Sequence, residues 1–202
     1  MSASQFDRRH PYASFGFLAA WVALSSCDAS ARHEVAADTP QPARGSADTQ
    51  KADAEQFVGT YAHVGGQAER DAVLAAIEGV VADMNIIARS IARDRLQASN
   101  PVPKKLAITR DGETLTVAFD EREYAAPLDG SSVEVVGVTG DRLEYRVTVD
   151  GEQLRQSFVG SKGQRNNTMT RRDDKLLLVE VEVSSGSLPK PLEYSLTLER
   201  RG

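Results

Sequence analysis

The strongest constraint on the fold is an alternation of apolar and polar residues that begins near Lys104 and continues to the end of the chain. A period of two places successive side chains on opposite faces of an extended strand, so that one face of each segment is buried. Turn signals interrupt the alternation at regular intervals, and Asp150-Gly151 is typical of a two-residue hairpin. The pattern predicts about nine strands here, and residues 57–64 add a first one.

One amphipathic helical segment separates the first strand from the others. Its apolar residues are spaced alternately by four and three positions, which places them on one stripe of a helix. Gly79 and Asn85 are the positions at which this segment could divide. Asn100-Pro101 should end it, because the residue before a proline is disfavoured in a helix. The stripe consists of Val73, Ile77, Val80, Met84, Ile87 and Ile91.

Ten strands with short connections predict an antiparallel up-and-down sheet. A sheet of this length curls, and closure into a barrel removes its exposed edges. We therefore expect a mainly β fold: an antiparallel barrel of about ten strands with one helical segment inserted after the first strand, across an open end. The alternative is a half-barrel wrapped on a helix.

Two short motifs add a family resemblance to this order of elements. The run Phe57-Val58-Gly59-Thr60-Tyr61 resembles the Gly-x-Trp opening of the calycins, with tyrosine in place of tryptophan, and Arg200 lies where calycins place an arginine over that ring. The chain thus resembles the calycin superfamily of lipocalins and fatty-acid-binding proteins. The resemblance implies that Tyr61 and Arg200 pair at the barrel base. The Arg-x-Tyr pair with which fatty-acid-binding proteins hold a carboxylate is absent from the last strand.

The N-terminal residues have the pattern of an export signal. Arg8 and Arg9 precede an apolar run of about 13 residues, which is short against the ~20 needed to span a bilayer. Leu24-Ser25-Ser26-Cys27 follows, and it resembles the lipobox of bacterial lipoproteins, in which the peptide is cut before a cysteine that is then acylated. The resemblance implies a signal peptide over residues 1–26 and lipidation at Cys27. We expect a bacterial cell-envelope protein anchored by lipid to the inner or the outer membrane.

The remaining chain divides into two parts. Residues 27–55 hold the lipidated cysteine and a stretch with almost no large apolar side chains, which predicts a disordered tether. Residues 56–202 form the predicted helix-capped barrel domain, which is long enough to bury a core. The net charge of −5 argues against nucleic acid as a partner.

No group of residues has the pattern of a catalytic or metal site. His63 has no second histidine and no cysteine near it in sequence, as a metal site would need. The acidic residues Asp120, Glu121 and Glu123 fall where a strand should turn, which favours a solvated turn over a pair of catalytic carboxylates. We therefore expect no enzyme activity, no metal and no cofactor.

A basic group in the last third of the chain has two interpretations. It could form a rim patch for a phosphate or carboxylate head group, or it could be a solvated hairpin, and the hairpin is the favoured interpretation. The group consists of Lys162, Arg165, Arg171, Arg172 and Lys175.

The helical stripe leaves the function open between two classes. A lid over an apolar cavity would bind a small hydrophobic or amphipathic ligand, whereas a helix that plugs a solid core would leave a non-catalytic interaction or structural module of the envelope. We favour the ligand-binding barrel, with the membrane as the other partner through the lipid anchor. The side chains expected to face the ligand are Ile77, Met84, Ile87 and Ile91 of the helix and Phe119, Tyr145 and Phe158 of the barrel.

Overall fold

The computed structural model describes residues 47–201. The predicted signal peptide, Cys27 and the tether up to residue 46 lie outside the described residues. No helix within residues 47–201 combines the length and the apolar character that a membrane span requires.

The described part of the chain contains three helices and ten strands. Helix α1 (Ala47–Glu55) precedes strand β1 (Gly59–His63), and helices α2 (Gly66–Val81) and α3 (Ile86–Ser99) follow it. The other strands are β2 (Lys105–Asp111), β3 (Thr114–Phe119), β4 (Arg122–Pro127), β5 (Val133–Val136), β6 (Arg142–Asp150), β7 (Gln153–Gly160), β8 (Gly163–Arg171), β9 (Leu176–Ser184) and β10 (Leu192–Arg201).

The ten strands form one antiparallel sheet in the order β4-β3-β2-β1-β10-β9-β8-β7-β6-β5. Strand β1 joins the two halves because it pairs with β2 on one side and with β10 on the other. Every other pairing is between neighbours in sequence, and the sheet curls into a nearly closed barrel. The predicted fold class, a helix-capped antiparallel barrel of ten strands, is confirmed.

Aromatic side chains close the seam between the two edge strands, β4 and β5. The ring of Tyr124 on β4 lies 5.7 Å from that of Tyr145 on β6 and 5.0 Å from that of Phe158 on β7, between centroids. Each such pair contributes about 0.5–1.5 kcal/mol beyond the area that it buries. Side-chain packing therefore replaces the missing backbone ladder across the seam.

The two ends of the barrel differ in how they are filled. We call the end that holds the β2–β3, β6–β7 and β8–β9 turns the base, and the opposite end, beside α3, the lid end. The interior nearest the base is packed with apolar side chains, and α2 adds Val73, Ile77, Val80 and Val81 to the same core. The buried strand residues include Ile108, Leu115, Val149, Leu154, Met169, Leu177 and Leu198.

Helix α1 covers the base, where the sequence predicts the end of a disordered tether. Ala54 is fully buried, the Asp53 carboxylate accepts from the Gly151 amide at 3.0 Å, and Arg110 donates to the Lys51 carbonyl at 2.8 Å. Residues 47–55 are thus ordered by polar contacts to turns that lie far away in sequence. The prediction failed here because it counted only the apolar residues of the segment itself.

Arg200 lies at the base, directly opposite Tyr61 in the strand register. Its Nη2 donates to the carbonyls of Gln56 at 2.9 Å and Val58 at 2.7 Å, and its Cζ lies 5.5 Å from the Tyr61 ring centroid. A Cβ on Gly59 would come within 3.2 Å of Arg200 Nε, so a glycine lets the guanidinium pass close to the backbone. Arg200 therefore joins the segment before β1 to the last strand.

Asn85 divides the helical segment into α2 and α3. Its side chain accepts from the Ala88 amide at 3.0 Å and caps the N-terminus of α3. The Arg89 guanidinium returns to the carbonyls of Ala82 at 2.6 Å and Met84 at 2.9 Å, at the end of α2. These two side chains fix the corner between the helices.

A clasp of three side chains, His63, Glu69 and Thr197, holds the start of α2 on the barrel. The Glu69 carboxylate lies 2.9 Å from His63 Nε2 and accepts from the Thr197 amide at 2.8 Å and the Thr197 hydroxyl at 2.7 Å. Burial raises the pKa of Glu69, but the bonds from Thr197 and His63 outweigh it and hold that pKa below its usual value. His63 is thus a structural residue of the clasp.

Candidate functional site

The lid end of the barrel holds a cavity of about 1740 Å³. It lies between α3 on one side and the turns β3–β4, β5–β6, β7–β8 and β9–β10 on the other. Ordinary small-molecule pockets have volumes of roughly 300–1,000 Å³, so this cavity, which includes its open mouth, has room for a bulky ligand.

Apolar side chains from both the helices and the strands line the cavity. Met84, Ile91 and Leu96 approach it from the helical side. The strands contribute Phe119, Phe158, Val179, Val181 and Leu196 among others. A ligand with an apolar body would gain about 25 cal/mol for each Å² of apolar surface that it buries here.

The structure brings four of the seven predicted ligand-facing residues to the cavity: Met84, Ile91, Phe119 and Phe158. Ile77 lies instead in the core below it, with 1% of its surface exposed, and Ile87 points to solvent, with 74% exposed. The corner at Asn85 explains Ile87, because residues 82–85 interrupt the helix and α3 starts with a new rotational phase. Tyr145 is fully buried at the seam.

A chain of polar side chains runs through the interior toward the lid end. Gln156 donates to the Tyr145 hydroxyl at 2.7 Å, Asn167 donates to Gln156 at 3.1 Å, and Arg165 Nε donates to Asn167 at 2.9 Å. Burial raises the pKa of Tyr145, which keeps its hydroxyl neutral. Gln156 and Asn167 are each 1% exposed, so these hydrogen bonds are what allow them to be buried.

Arg165 connects this chain to the end of α3. Its Nη1 donates to the Asn100 side chain at 2.9 Å and the Ser99 carbonyl at 3.3 Å, and its Nη2 donates to the Tyr194 hydroxyl at 3.2 Å. Burial raises the pKa of Tyr194, and the neighbouring Arg165 opposes that rise only in part. A cation thus lies in the cavity wall where α3 meets the barrel.

The inward positions of β7 and β8 were missed by sequence reasoning. Leu154 and Met169 are buried, and a period of two puts Gln156 and Asn167 on the same inner face. Polar residues at inward positions of a predicted strand therefore indicated a polar feature inside the barrel. Arg165 is two residues from Asn167 and so lies on the same inner face. The basic group was instead treated as one surface feature.

Basic residues outnumber acidic ones around the cavity. Six Lys or Arg residues line it against three Asp or Glu, although the chain carries a net charge of −5. The Asp120 carboxylate is engaged, since it accepts from the amides of Lys104 and Lys105 at 3.0 Å each. Asp120 and Glu121 thus form the β3–β4 turn, whereas Glu123 lies exposed in β4. Among residues 47–201, no three His, Cys, Asp or Glu side chains cluster as a metal site would require.

Comparison with known proteins gives only distant likenesses. No protein-family model and no curated protein matches the sequence. Among solved structures, lipid binding protein 8 of Caenorhabditis elegans has a TM-score of 0.47 and 12% identity over 73% of this chain and 96% of its own. Two fatty-acid-binding proteins, from Drosophila melanogaster brain and Echinococcus granulosus, each have a TM-score of 0.46 and 15% identity, over 72% and 73% of this chain and 99% of theirs.

Proposed function

We propose that this protein is a non-enzymatic binding protein that holds a small hydrophobic or amphipathic molecule in the barrel cavity. The observation that carries the proposal is the open, largely apolar space of about 1740 Å³ beneath α3. Burial of the ligand's apolar surface would supply the affinity, and the satisfied interior hydrogen bonds would keep the walls in place.

Helix α3 is the part of the cavity wall best suited to move. Leu96 is its one buried residue, whereas α2 buries four. Elements with few buried apolar contacts open at low free-energy cost. Exchange of ligand would therefore proceed by movement of α3 about the corner at Asn85, while α2 stays on the barrel.

The proposal extends to the cell envelope. Lipidation at Cys27, which the lipobox resemblance supports, would anchor the domain to a bacterial membrane, and each methylene that an acyl chain buries adds ~0.8 kcal/mol. The chain reaches the barrel through α1 at the base. The cavity opens at the other end, so the docked helix leaves the mouth free.

The alternative is an interaction module with a solid barrel, and fewer observations favour it. Its expectation of a filled interior fits the apolar core that α2 and the strands share. It does not fit the lid end, where the cavity lies. We therefore keep ligand binding as the proposed function.

Met84→Trp should weaken binding of the neutral fluorescent probe N-phenylnaphthylamine at least about tenfold, because the larger ring takes up cavity volume. Met84 lines the cavity and is half-buried. The matched control is Ile87→Trp, which lies on the same predicted stripe but points to solvent. Fluorescence titration measures both variants, and thermal unfolding checks that each remains folded. Equal affinities in the two variants would count against the cavity as the binding site.

A further inference from the structure

We propose that helix α1 is a releasable strap, which docks on the base at low ionic strength and detaches from it at high ionic strength while the barrel stays folded. Release would lengthen the segment that joins residues 1–46 to the barrel. This inference concerns the base and not the cavity, so it is independent of ligand binding.

The first argument is that charged contacts hold α1 in place. Lys51 Nζ lies 2.5 Å from the Glu113 carboxylate of the β2–β3 turn, and Arg110 Nη1 lies 3.0 Å from the Glu55 carboxylate. The Glu113 and Glu55 side chains are 73% and 58% exposed. Ion pairs with such exposed partners contribute little to stability, and salt screens them. The docking of α1 therefore depends on ionic strength.

The second argument is that α1 buries almost no apolar surface. Among residues 49–55, Ala54 is the only apolar side chain that is buried, and Ala52 is exposed. Elements with few buried apolar contacts open at low free-energy cost. A helix of nine residues is also too short to persist on its own in water. We therefore expect α1 to unfold when it leaves the base, and to do so well before the barrel unfolds.

The third argument is an unpaired acceptor beneath α1. Gln50 is buried, and within residues 47–201 its Oε1 has no hydrogen-bond donor. A buried acceptor without a donor has lost its bonds to water and has gained none in return, which opposes docking. Release returns that oxygen to water. The docked and released states are therefore closer in free energy than the polar contacts of α1 alone would make them.

The contacts that follow α1 determine where release stops. Arg200 donates to the carbonyls of Gln56 and Val58, and the Phe57 side chain between them is fully buried in the core. None of these contacts involves a residue of α1. The movable part of the chain therefore ends at Glu55, and the entry into β1 stays fixed to the last strand.

Release changes the reach of the chain. Nine residues span about 13 Å as an α-helix and up to about 30 Å when extended, so the barrel gains roughly 15 Å of distance from residue 46. In a protein anchored through Cys27, as proposed above, α1 would thus set how far the barrel extends from the membrane.

Hydrogen–deuterium exchange of the full-length chain, followed by mass spectrometry, tests the proposal. Residues 51–55 should exchange at least about threefold faster in 0.5 M than in 0.05 M sodium chloride, whereas β10 should not change. Glu113→Gln removes one of the ion pairs. At the lower salt concentration it should accelerate exchange of residues 51–55 at least about threefold.

Two further variants make the test specific. Gln50→Leu removes the unpaired oxygen and should slow exchange of residues 51–55 at least about threefold. The matched control is Glu152→Gln, because Glu152 is also an exposed glutamate of a turn at the base, and within residues 47–201 no ion pair links its carboxylate to α1. This control should leave the exchange of residues 51–55 unchanged.

Three outcomes would overturn the strap. Exchange of residues 51–55 as slow as that of β10 at both salt concentrations would mean that α1 leaves only when the barrel unfolds. Fast exchange that neither salt nor Glu113→Gln alters would mean that charged contacts do not dock α1. The third is a lower thermal unfolding midpoint of the barrel in Glu113→Gln but not in Glu152→Gln, which would make α1 part of the core. We expect equal midpoints for these two variants.

Discussion

Arg200→Met is expected to lower the free energy of unfolding by about 3 kcal/mol. The guanidinium donates to the carbonyls of Gln56 and Val58 and to the Tyr61 hydroxyl, and methionine leaves those acceptors unpaired near the base. Each buried acceptor left without a partner costs about 1–3 kcal/mol, and loss of the contact with the Tyr61 ring adds to the effect. Urea unfolding followed by circular dichroism measures the difference.

Arg201→Met is the matched control for this substitution. Arg201 is the next residue in β10, but it is exposed and pairs with Glu199 at 3.0 Å on the surface. Surface ion pairs contribute about 0–1 kcal/mol, so we expect a change of less than 1 kcal/mol. Similar losses of stability for the two substitutions would contradict the role of Arg200 in joining the segment before β1 to the last strand.

Gly65→Ala is expected to lower the free energy of unfolding by about 2 kcal/mol. The cause would be the loss of the clasp contacts and not backbone strain. Gly65 has φ −67° and ψ −7°, which any residue adopts. A Cβ there would lie 1.9 Å from the Glu69 carboxyl carbon, so the carboxylate must leave His63 and Thr197. Thermal or urea unfolding measures the loss.

A double-mutant cycle isolates this cause. In a Glu69→Ala background the methyl group meets no carboxylate, and Gly65→Ala should then cost less than about 0.5 kcal/mol. Gly79→Ala is a control that should stabilise the protein. Nothing lies within 4 Å of the added Cβ inside α2, and alanine favours a helix more than glycine does, so we expect the free energy of unfolding to rise by up to about 1 kcal/mol. An undiminished cost of Gly65→Ala without Glu69 would contradict the clasp.

The strands could be predicted because their information is local. Most segments from β2 to β10 alternate apolar and polar residues, and turn residues such as Asp150-Gly151 separate the segments. The end of the helical segment before Pro101 is local in the same sense. Pairing of β1 with both β2 and β10 then follows from closure of a ten-stranded sheet.

Helix α1 could not be predicted from its own residues. It lacks an apolar stripe, and its order comes from partners such as Gly151, which is 98 positions from Asp53, and Glu113, which is 62 positions from Lys51. Contacts of that separation leave no periodic trace in the segment. A composition-based prediction of disorder therefore extended too far into the chain.

The cavity was predicted in its general position but not in its chemistry. Met84 and Ile91 line it, whereas the turn before α3 carries Ile87 to the outside. A continuous helical stripe cannot indicate that change of phase. Arg165 lies on the same face of β8 as the buried Met169, a signal that the prediction did not use because it treated the basic residues as one group.

Native mass spectrometry of the full-length chain tests most directly whether the barrel is a binding protein. The chain should carry Cys27→Ser, so that no acyl chain of its own is attached, and should be incubated with a bacterial lipid extract before removal of free lipid. We predict a reproducible adduct of a few hundred daltons or more that Met84→Trp removes and Ile87→Trp retains. A chain that remains bare, or an adduct that Met84→Trp leaves unchanged, would contradict ligand binding in the cavity.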